Sequence, residues 1–461
     1  MKKLMLLISI LVVCGAGCTK KDPIQAADLK LSSGMQTEVV LDSQGEMKSV
    51  RFTSAKAWHV EVDGEAPWLD ITPMEGEAGN GRVKMQADVN LSGSERKAEF
   101  RICSDDKFLQ FTVTQDNFEP IFEVVETDVS LPADGGLAVV HVNTNLKFTC
   151  SISEDWVLTA SSDEAFPEYV VFGAGPNPNS ASRDAEITLK SEIGSYTVTL
   201  TQDACAADAD SWKAKSFVDR SLAMRFTATW CGWCPYMGKA FEQAKTDMNG
   251  SLEIVCLHGG GSDLDFSGTA ALMNRFSIDS FPTGIVDCRA SVPNSTDPSE
   301  TASLAEAVAK ETEVNYPAQS GISCSSFLSG SELTVLVTNY FKQADSYRVV
   351  VLLLEDGIIG YQSGATANYV HNDVARAALT SMSGSSVMIT EDNPVWTGMF
   401  TSSIKVSNPD NLKVLVYVEK PYGDQPLVEG VDYVRYDNYG GSYVDNCRVV
   451  PVGEYAELEL K

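Results

Sequence analysis

Apolar and polar residues alternate along much of the first half of the chain. Runs such as Arg96-Lys97-Ala98-Glu99-Phe100 and Phe111-Thr112-Val113-Thr114-Gln115 carry apolar side chains at every second position, the period of a half-buried strand. Both runs return as Arg183-Asp184-Ala185-Glu186-Ile187 and Val198-Thr199-Leu200-Thr201-Gln202, each 87 residues on (183 − 96 and 198 − 111). Trp68-Leu69 has a counterpart in Trp156-Val157 at almost the same offset, so the repeat spans most of each unit. Gly, Asn and Ser clusters at 77–81 and 173–182 separate the runs. Short alternating strands broken by such turns predict two antiparallel β-sandwiches.

The second half changes rhythm. Residues 217–227 read as a strand that runs into Trp230-Cys231-Gly232-Trp233-Cys234-Pro235. Beyond it Met237, Phe241, Ala244 and Met248 share one face of an amphipathic helix. A strand over 252–257, a helix over 269–276, a strand over 284–288 and a helix over 303–312 follow. From 317 onward, strands at 332–338, 347–354, 402–406 and 412–419 predict a further sandwich.

At 461 residues the chain has room for three or four domains, and 44% hydrophobic with 21% charged residues is ordinary globular composition. The formal charge of −28 argues against nucleic-acid phosphates as a partner. The amino end gives a compartment. Met1-Lys2-Lys3 is a basic start, residues 4–13 are an apolar run too short to span a bilayer, and Gly15-Ala16-Gly17-Cys18 resembles a bacterial lipobox, with Gly15 where many have Leu. The expectation is a cleaved lipoprotein signal peptide at 1–17, lipidation of Cys18, a polar tether at 18–28, and a mature charge of −30 (33 − 63). No later stretch approaches a membrane span, so the lipid would be the only membrane attachment.

Candidate chemistry centres on the cysteine pair. A C-x-x-C at a strand-to-helix junction puts the first thiol at a helix amino terminus, where the dipole and free N–H groups lower its pKa, with the second within bonding reach. Cys231 is the candidate attacking thiolate and Cys234 the candidate resolving thiol. The alternatives are a static disulfide or half a zinc site. Zinc would need two more ligands, and the chain offers four His and no second C-x-x-C, so no metal and no cofactor is expected.

Family resemblances extend this reading. Trp68-Leu69-x-Ile71-x-Pro73, Ser92-Gly93-Ser94-Glu95-Arg96 and Phe111-Thr112-Val113-Thr114-Gln115 resemble the BACON domain, an immunoglobulin-like module of Bacteroidetes surface and periplasmic proteins. The likeness covers 29–116 well and 121–204 less well, because residues 166–179 depart from the pattern. It implies either glycan binding or a spacer role. Trp58, Trp68 and Trp156 could stack on sugar rings, but their apolar strand context predicts core packing. The C-x-x-C followed by Ser280-Phe281-Pro282-Thr283 resembles a thioredoxin-like domain. That resemblance implies a cis-proline at Pro282 facing the cysteines, with Phe281, Trp230 and Trp233 completing the substrate-binding set.

Four ordered motifs resemble the outer-membrane-protein-28-related lipoproteins of Bacteroidetes over about 215–461: 226–235, 276–283, 354–357 and 369–379. That family joins a thioredoxin-like domain to a carboxy-terminal β-sandwich. The expected fold is therefore multidomain, mainly β with one α/β domain. BACON-like sandwiches at 29–116 and 121–204 would precede a thioredoxin-like domain at 212–316 and a C-terminal β-sandwich at 317–461.

One departure stands out: Arg225 occupies the place, six residues before the first cysteine, where many thioredoxins bury a proton-accepting carboxylate. An Arg stays protonated and cannot act as that base. The Gly232-Trp233 dipeptide, without a His, favours a reducing or isomerising poise. His371 with Asp373 and Arg376 suggests a charged corner, and His258-Gly259-Gly260-Gly261 ends a strand near the active face. No G-x-S-x-G or H-E-x-x-H occurs. Of the other cysteines, Cys103, Cys150, Cys205, Cys256, Cys288, Cys324 and Cys447, the preferred pair is Cys324 with Cys447.

Two functions are consistent with this reading. One is an envelope thiol-disulfide oxidoreductase acting on protein thiols and disulfides. The other is a non-catalytic outer-membrane lipoprotein that binds glycans or protein.

Overall fold

The computed structural model describes residues 29–160, 167–206, 209–292, 297–312, 317–405, 408–421 and 441–461. Cys18 lies outside them. The chain divides into two compact units, Met1–Ile121 and Phe122–Lys461.

In the first unit, the strands alternate as their sequence predicts: Gly79–Asp88 buries every second side chain. One sheet joins Lys30–Leu31, Gly45–Ser54, Gly79–Asp88 and Leu69–Thr72. The facing sheet joins Glu38–Leu41, Lys107–Gln115, Arg96–Ser104, Trp58–Asp63 and Glu75–Gly76. Between them Phe100 stacks on Phe111 and Phe52 meets Trp58 edge-on, each pair 4.9 Å apart.

A second sandwich opens the second unit. Phe122–Val124, Gly136–Thr144, Tyr169–Ala174 and Leu158–Ala160 form one sheet; Asp128–Leu131, Ser195–Gln202, Arg183–Ser191 and Phe148–Ile152 form the other. Both sandwiches contain a parallel pair, Glu38 beside Thr112 and Asp128 beside Thr199.

The repeat is held by one polar latch, made twice. Gln115 is fully buried and donates to the carbonyls of Asp42 (2.7 Å) and Asp88 (3.0 Å), while Arg96 donates to its side-chain oxygen at 2.8 Å. At the same offset Gln202 donates to Pro132, Ala133 and Gly175, and Arg183 donates to it at 2.9 Å. Asn90 and Asn177 clamp the end of the same strand through the carbonyls of Asp116 (3.0 Å) and Asp203 (2.8 Å). The two arginines cover Trp68 at 4.6 Å and Trp156 at 4.1 Å. Trp58 is a core residue, as expected. Trp68 and Trp156 are not fully in the core; each is half-buried beneath its arginine, a cation–π arrangement that strand periodicity does not reveal.

The remainder of the second unit is organised by a nine-stranded mixed sheet. Its order is Ala290–Val292, Thr283–Val286, Ser221–Thr227, Leu252–His258, Val374–Ala378, Ser346–Glu355, Leu412–Pro421 and Ser442–Pro451, with Ser385–Met388 attached to Ser346–Glu355. Sequence reading places a domain boundary at 316/317, yet this sheet runs on from one side of that boundary to the other. Helices Cys234–Asp247 and Thr301–Thr312 pack on it through Met237, Phe241 and Ala244 against Leu304 and Val308. Thr269–Phe276 lies over Phe226, Leu257 and Tyr417. A second sheet, Val395–Ser403, Glu332–Phe341, Ser320–Ser329 and Tyr455–Ala456, closes a sandwich over Val349, Val351, Val414 and Val416.

That layering corrects the expected Cys324–Cys447 bridge, because both thiols are free and buried. Cys324 belongs to the core between the two sheets. Cys447 pairs in register with Tyr417 and belongs to the core on the opposite face of the nine-stranded sheet. The sheet itself separates them.

Gln115→Leu should destabilise the first sandwich by about 1–3 kcal/mol, since the carbonyls it holds lose their donors in a buried setting. Native-state hydrogen exchange of Lys107–Gln115 in the full chain reads this directly, and unchanged protection would show the latch to be dispensable.

Candidate redox site

Ser221–Thr227 is buried at every position, flanked by parallel Leu252–His258 and antiparallel Thr283–Val286. This central strand fixes where its exit loop can go. The chain leaves it through Ala228-Thr229-Trp230 and enters the helix at Cys234, with Pro235 in the first turn. No side chain caps that helix and no acidic residue sits in its first turn; Pro235 has no N–H to offer there, and the Tyr236 N–H donates to the Trp233 carbonyl at 3.2 Å. Cys231 and Cys234 are joined as a disulfide. Cys234 is fully buried and Cys231 is 4% exposed.

Phe281 packs against both cysteines and Ala228, and the Phe281–Pro282 peptide bond is cis. The indoles on either side are out in solvent, Trp230 at 53% and Trp233 at 50% exposure. Trp230 is fixed by a 3.0 Å hydrogen bond from Nε1 to the Gly260 carbonyl and by Phe281, 5.8 Å away between ring centres.

Two features escaped sequence reasoning. The first is a clamp supplied by the loop after the strand Ile358–Gly360. Gln362 donates from Nε2 to the carbonyls of Cys231 (2.9 Å) and Ala228 (3.2 Å), and the Ser363 N–H donates to Thr229 (2.7 Å). Nothing in a lone Gln announces this, because its partners are backbone oxygens more than 130 residues away.

The second is a buried histidine pair under the same turn. His258 and His371 meet edge-on with ring centres 5.3 Å apart, and Nε2 of each has no hydrogen-bond partner. Ser262 links His258 (3.3 Å) to the Thr229 hydroxyl (3.2 Å). Burial, aided by Arg225, pushes His258 down to about 3 and lowers His371 as well, so both rings are neutral at physiological pH. The charged corner expected at 371–376 is partitioned differently. Asp373 pairs with Lys413 at 2.5 Å and Arg376 with Glu355 at 3.0 Å, while His371 turns to His258.

Arg225 is buried, and its guanidinium donates to the Cys256 sulfur from Nε (3.2 Å) and Nη2 (2.9 Å) across the parallel strand pair. Burial alone would pull the guanidinium down, but Cys256 and Tyr369 beside it more than compensate and keep it protonated. Burial likewise pushes the Cys256 thiol up, against the pull of Arg225. The helix passes directly over this pair at Gly238, one turn after Cys234. A Cβ there would stand 2.6 Å from Arg225 Nη1. Gly238→Ala should therefore cost about 1–3 kcal/mol by overpacking. A double-mutant cycle with Arg225→Met, read by urea unfolding, should show the two changes to be coupled; additive effects would place the strain elsewhere.

Comparison with known proteins bears on the chain region by region. The family model of outer membrane protein Omp28 matches residues 269–436, beginning after the two cysteines. The viral BACON domain matches residues 31–117, and the BACON family of candidate N-terminal binding domains matches 144–203. No curated protein matches the chain. Among solved structures, HBP35 of Porphyromonas gingivalis is similar at 16% identity over 52% of this chain and 76% of that one, with a TM-score of 0.43. A Bacteroides ovatus GH5 xyloglucanase in complex with a XXXG heptasaccharide is similar at 13% identity over 23% of this chain and 26% of that one, with a TM-score of 0.19. Neither likeness is close enough to carry an argument. No helix among the described residues is long and apolar enough to cross a membrane. The chain carries two BACON-type domains followed by an Omp28-type region, the arrangement that its motifs resemble.

Proposed function

We propose that this chain is an envelope lipoprotein, anchored through Cys18, whose thioredoxin-like domain exchanges thiols and disulfides with protein substrates while the BACON-type domains serve as its stalk. The observation that carries the reading is the Cys231–Cys234 disulfide at a strand-to-helix junction, flanked by two exposed indoles. In the reduced protein, the Cys231 thiolate attacks a substrate disulfide. A mixed disulfide forms on Cys231 and one substrate thiolate leaves. Cys234 then loses its proton and displaces the second substrate thiolate, closing the Cys231–Cys234 bond; two electrons pass to the substrate. The reverse sequence oxidises a substrate dithiol. Trp230, Trp233, Phe281 and Pro282 would hold the substrate's extended chain beside Cys231.

Arg225 bears on the poise of the pair. A buried cation under the helix at Gly238, one turn after Cys234, would favour thiolate over thiol, and so the reduced pair over the disulfide. That pushes toward an oxidising poise, whereas the Gly232-Trp233 dipeptide favours a reducing or isomerising one.

One observation favours the second reading, a non-catalytic surface lipoprotein that binds glycan or protein: Cys231 is nearly enclosed, with Gln362 fastened to its turn. Scrambled-disulfide refolding separates the two. The wild-type chain should restore activity to a scrambled substrate and Cys231→Ser should lose at least about a hundredfold, since the thiolate is the nucleophile; equal rates would sink the oxidoreductase reading. For the anchor, Cys18→Ser should move the expressed protein from the detergent phase to the aqueous phase in detergent partitioning. Retention in the detergent phase would reject lipidation at Cys18.

A further inference from the structure

The first sandwich presents a side-chain cluster that its fold does not require. Trp58–Asp63 alternates so that Trp58 and Val60 point into the core while His59 and Glu61 point out. Directly across the antiparallel pair, His59 is in register with Cys103, which also lies on the outer face. The three donor atoms, an imidazole nitrogen, a carboxylate oxygen and a thiol sulfur, all lie within 4.8 Å of one another, and His59 Nε2 is 3.1 Å from Glu61 Oε1.

We propose that His59, Glu61 and Cys103 form a binding site for a divalent transition metal of the zinc class. Metal bonds of about 2.0–2.3 Å to N, O and S set tetrahedral ligands roughly 3.3–3.8 Å apart, so modest side-chain rotation closes the triad around an ion. The mixed N, O and S set suits zinc-like ions and disfavours magnesium or calcium, which take oxygen ligands. Binding deprotonates Cys103: the S–H bond breaks, a metal–sulfur bond forms and one proton goes to solvent. The divalent charge is then balanced by the Cys103 thiolate and the Glu61 carboxylate. Arg101, the neighbouring cation, is engaged by Asp63 at 2.6 Å. Three protein ligands leave a fourth position for water or an incoming donor.

The second sandwich is a built-in comparison. Lys190 stands 87 residues on from Cys103 (190 − 103) and is in register with Thr149, so the same framework is built without a ligand at either position. The triad is an addition to the surface of the first copy alone, assembled from two strands, and for that reason no sequence motif marks it.

Cobalt(II) is the probe, titrated into the full chain in detergent with the Cys231–Cys234 disulfide kept oxidised so that those thiols cannot compete. The expected result is one equivalent bound, with a near-ultraviolet thiolate-to-cobalt charge-transfer band and visible bands of tetrahedral intensity, both displaced by zinc. Cys103→Ser should abolish the charge-transfer band and His59→Gln should weaken binding at least about tenfold. Cys150→Ser should change neither, and circular dichroism should confirm that all variants remain folded. Absence of the band in the wild-type chain, its survival in Cys103→Ser, or undiminished affinity in His59→Gln would overturn the assignment.

Discussion

The candidate redox site depends on one strand pairing. Leu252–His258 lies parallel to Ser221–Thr227 on one side and meets Val374–Ala378 on the other, where Cys256 is in register with Val374 and donates its N–H to the Asp373 carbonyl at 2.7 Å. Through that contact the sheet carrying the two cysteines continues into the sheet of the last sandwich. It also determines what approaches the cysteines. The hairpin Ile358–Gly360 and Tyr369–His371 precedes the joining strand, and the loop within it supplies Gln362, which holds Cys231, and leads to His371, which meets His258.

Enclosure of this kind has an electrostatic consequence. A strand buried on both faces tolerates polar side chains only when they are satisfied by other buried groups. Arg225 meets that condition with a thiol across the strand pair and with a glycine above that leaves room for its guanidinium. The histidines meet it only in part: both stay neutral, but Nε2 of each is buried without a hydrogen-bond partner. The helix that begins at Cys234 thus passes over a buried cation at Gly238, with Glu242 among that cation's charged surroundings, and the turn before the helix is linked through Ser262 to an uncharged ring.

How much of this was legible follows from the range of each interaction. The alternation of the first half, the duplication at 87 residues and the strand-to-helix passage through Cys231 and Cys234 are local patterns, and sequence reading recovered them. The strands at 283–286, 221–227 and 252–258 were legible as separate elements, but their order in the sheet comes from the pairing alone. The continuation of the sheet past 316 did not, because a single residue pair in register, Cys256 with Val374, makes the connection. Gln362, the histidine pair and the Arg225–Cys256 contact share that property: each joins residues far apart in sequence, and none belongs to a periodic run. Cys324 and Cys447 misled because cysteine counting ignores which face of a sheet a residue occupies.

The two sandwiches show how one framework diverges under different packing demands. Both keep the buried glutamine, the clamping asparagine and the arginine over tryptophan, since each closes the same open strand ends. They differ on the strand that pairs with the one just after the tryptophan. In the first copy Gly79–Asp88 alternates between buried and exposed positions; in the second Tyr169–Ala174 is buried at all positions after the first. The reason is the last sandwich. Tyr169 meets Phe327 at 5.4 Å, a Cβ on Gly173 would stand 2.9 Å from Leu336, and one on Gly175 would stand 2.3 Å from the Thr397 hydroxyl. A strand with one wet face can follow the binary pattern of its copy, whereas a strand covered on both faces must give up side chains where its neighbour approaches. Residues 169–175, within the stretch that departs from the BACON pattern, are therefore where the second copy fits against the last sandwich. Asn177, in the same stretch, keeps its offset because the latch, unlike the surface, is common to both.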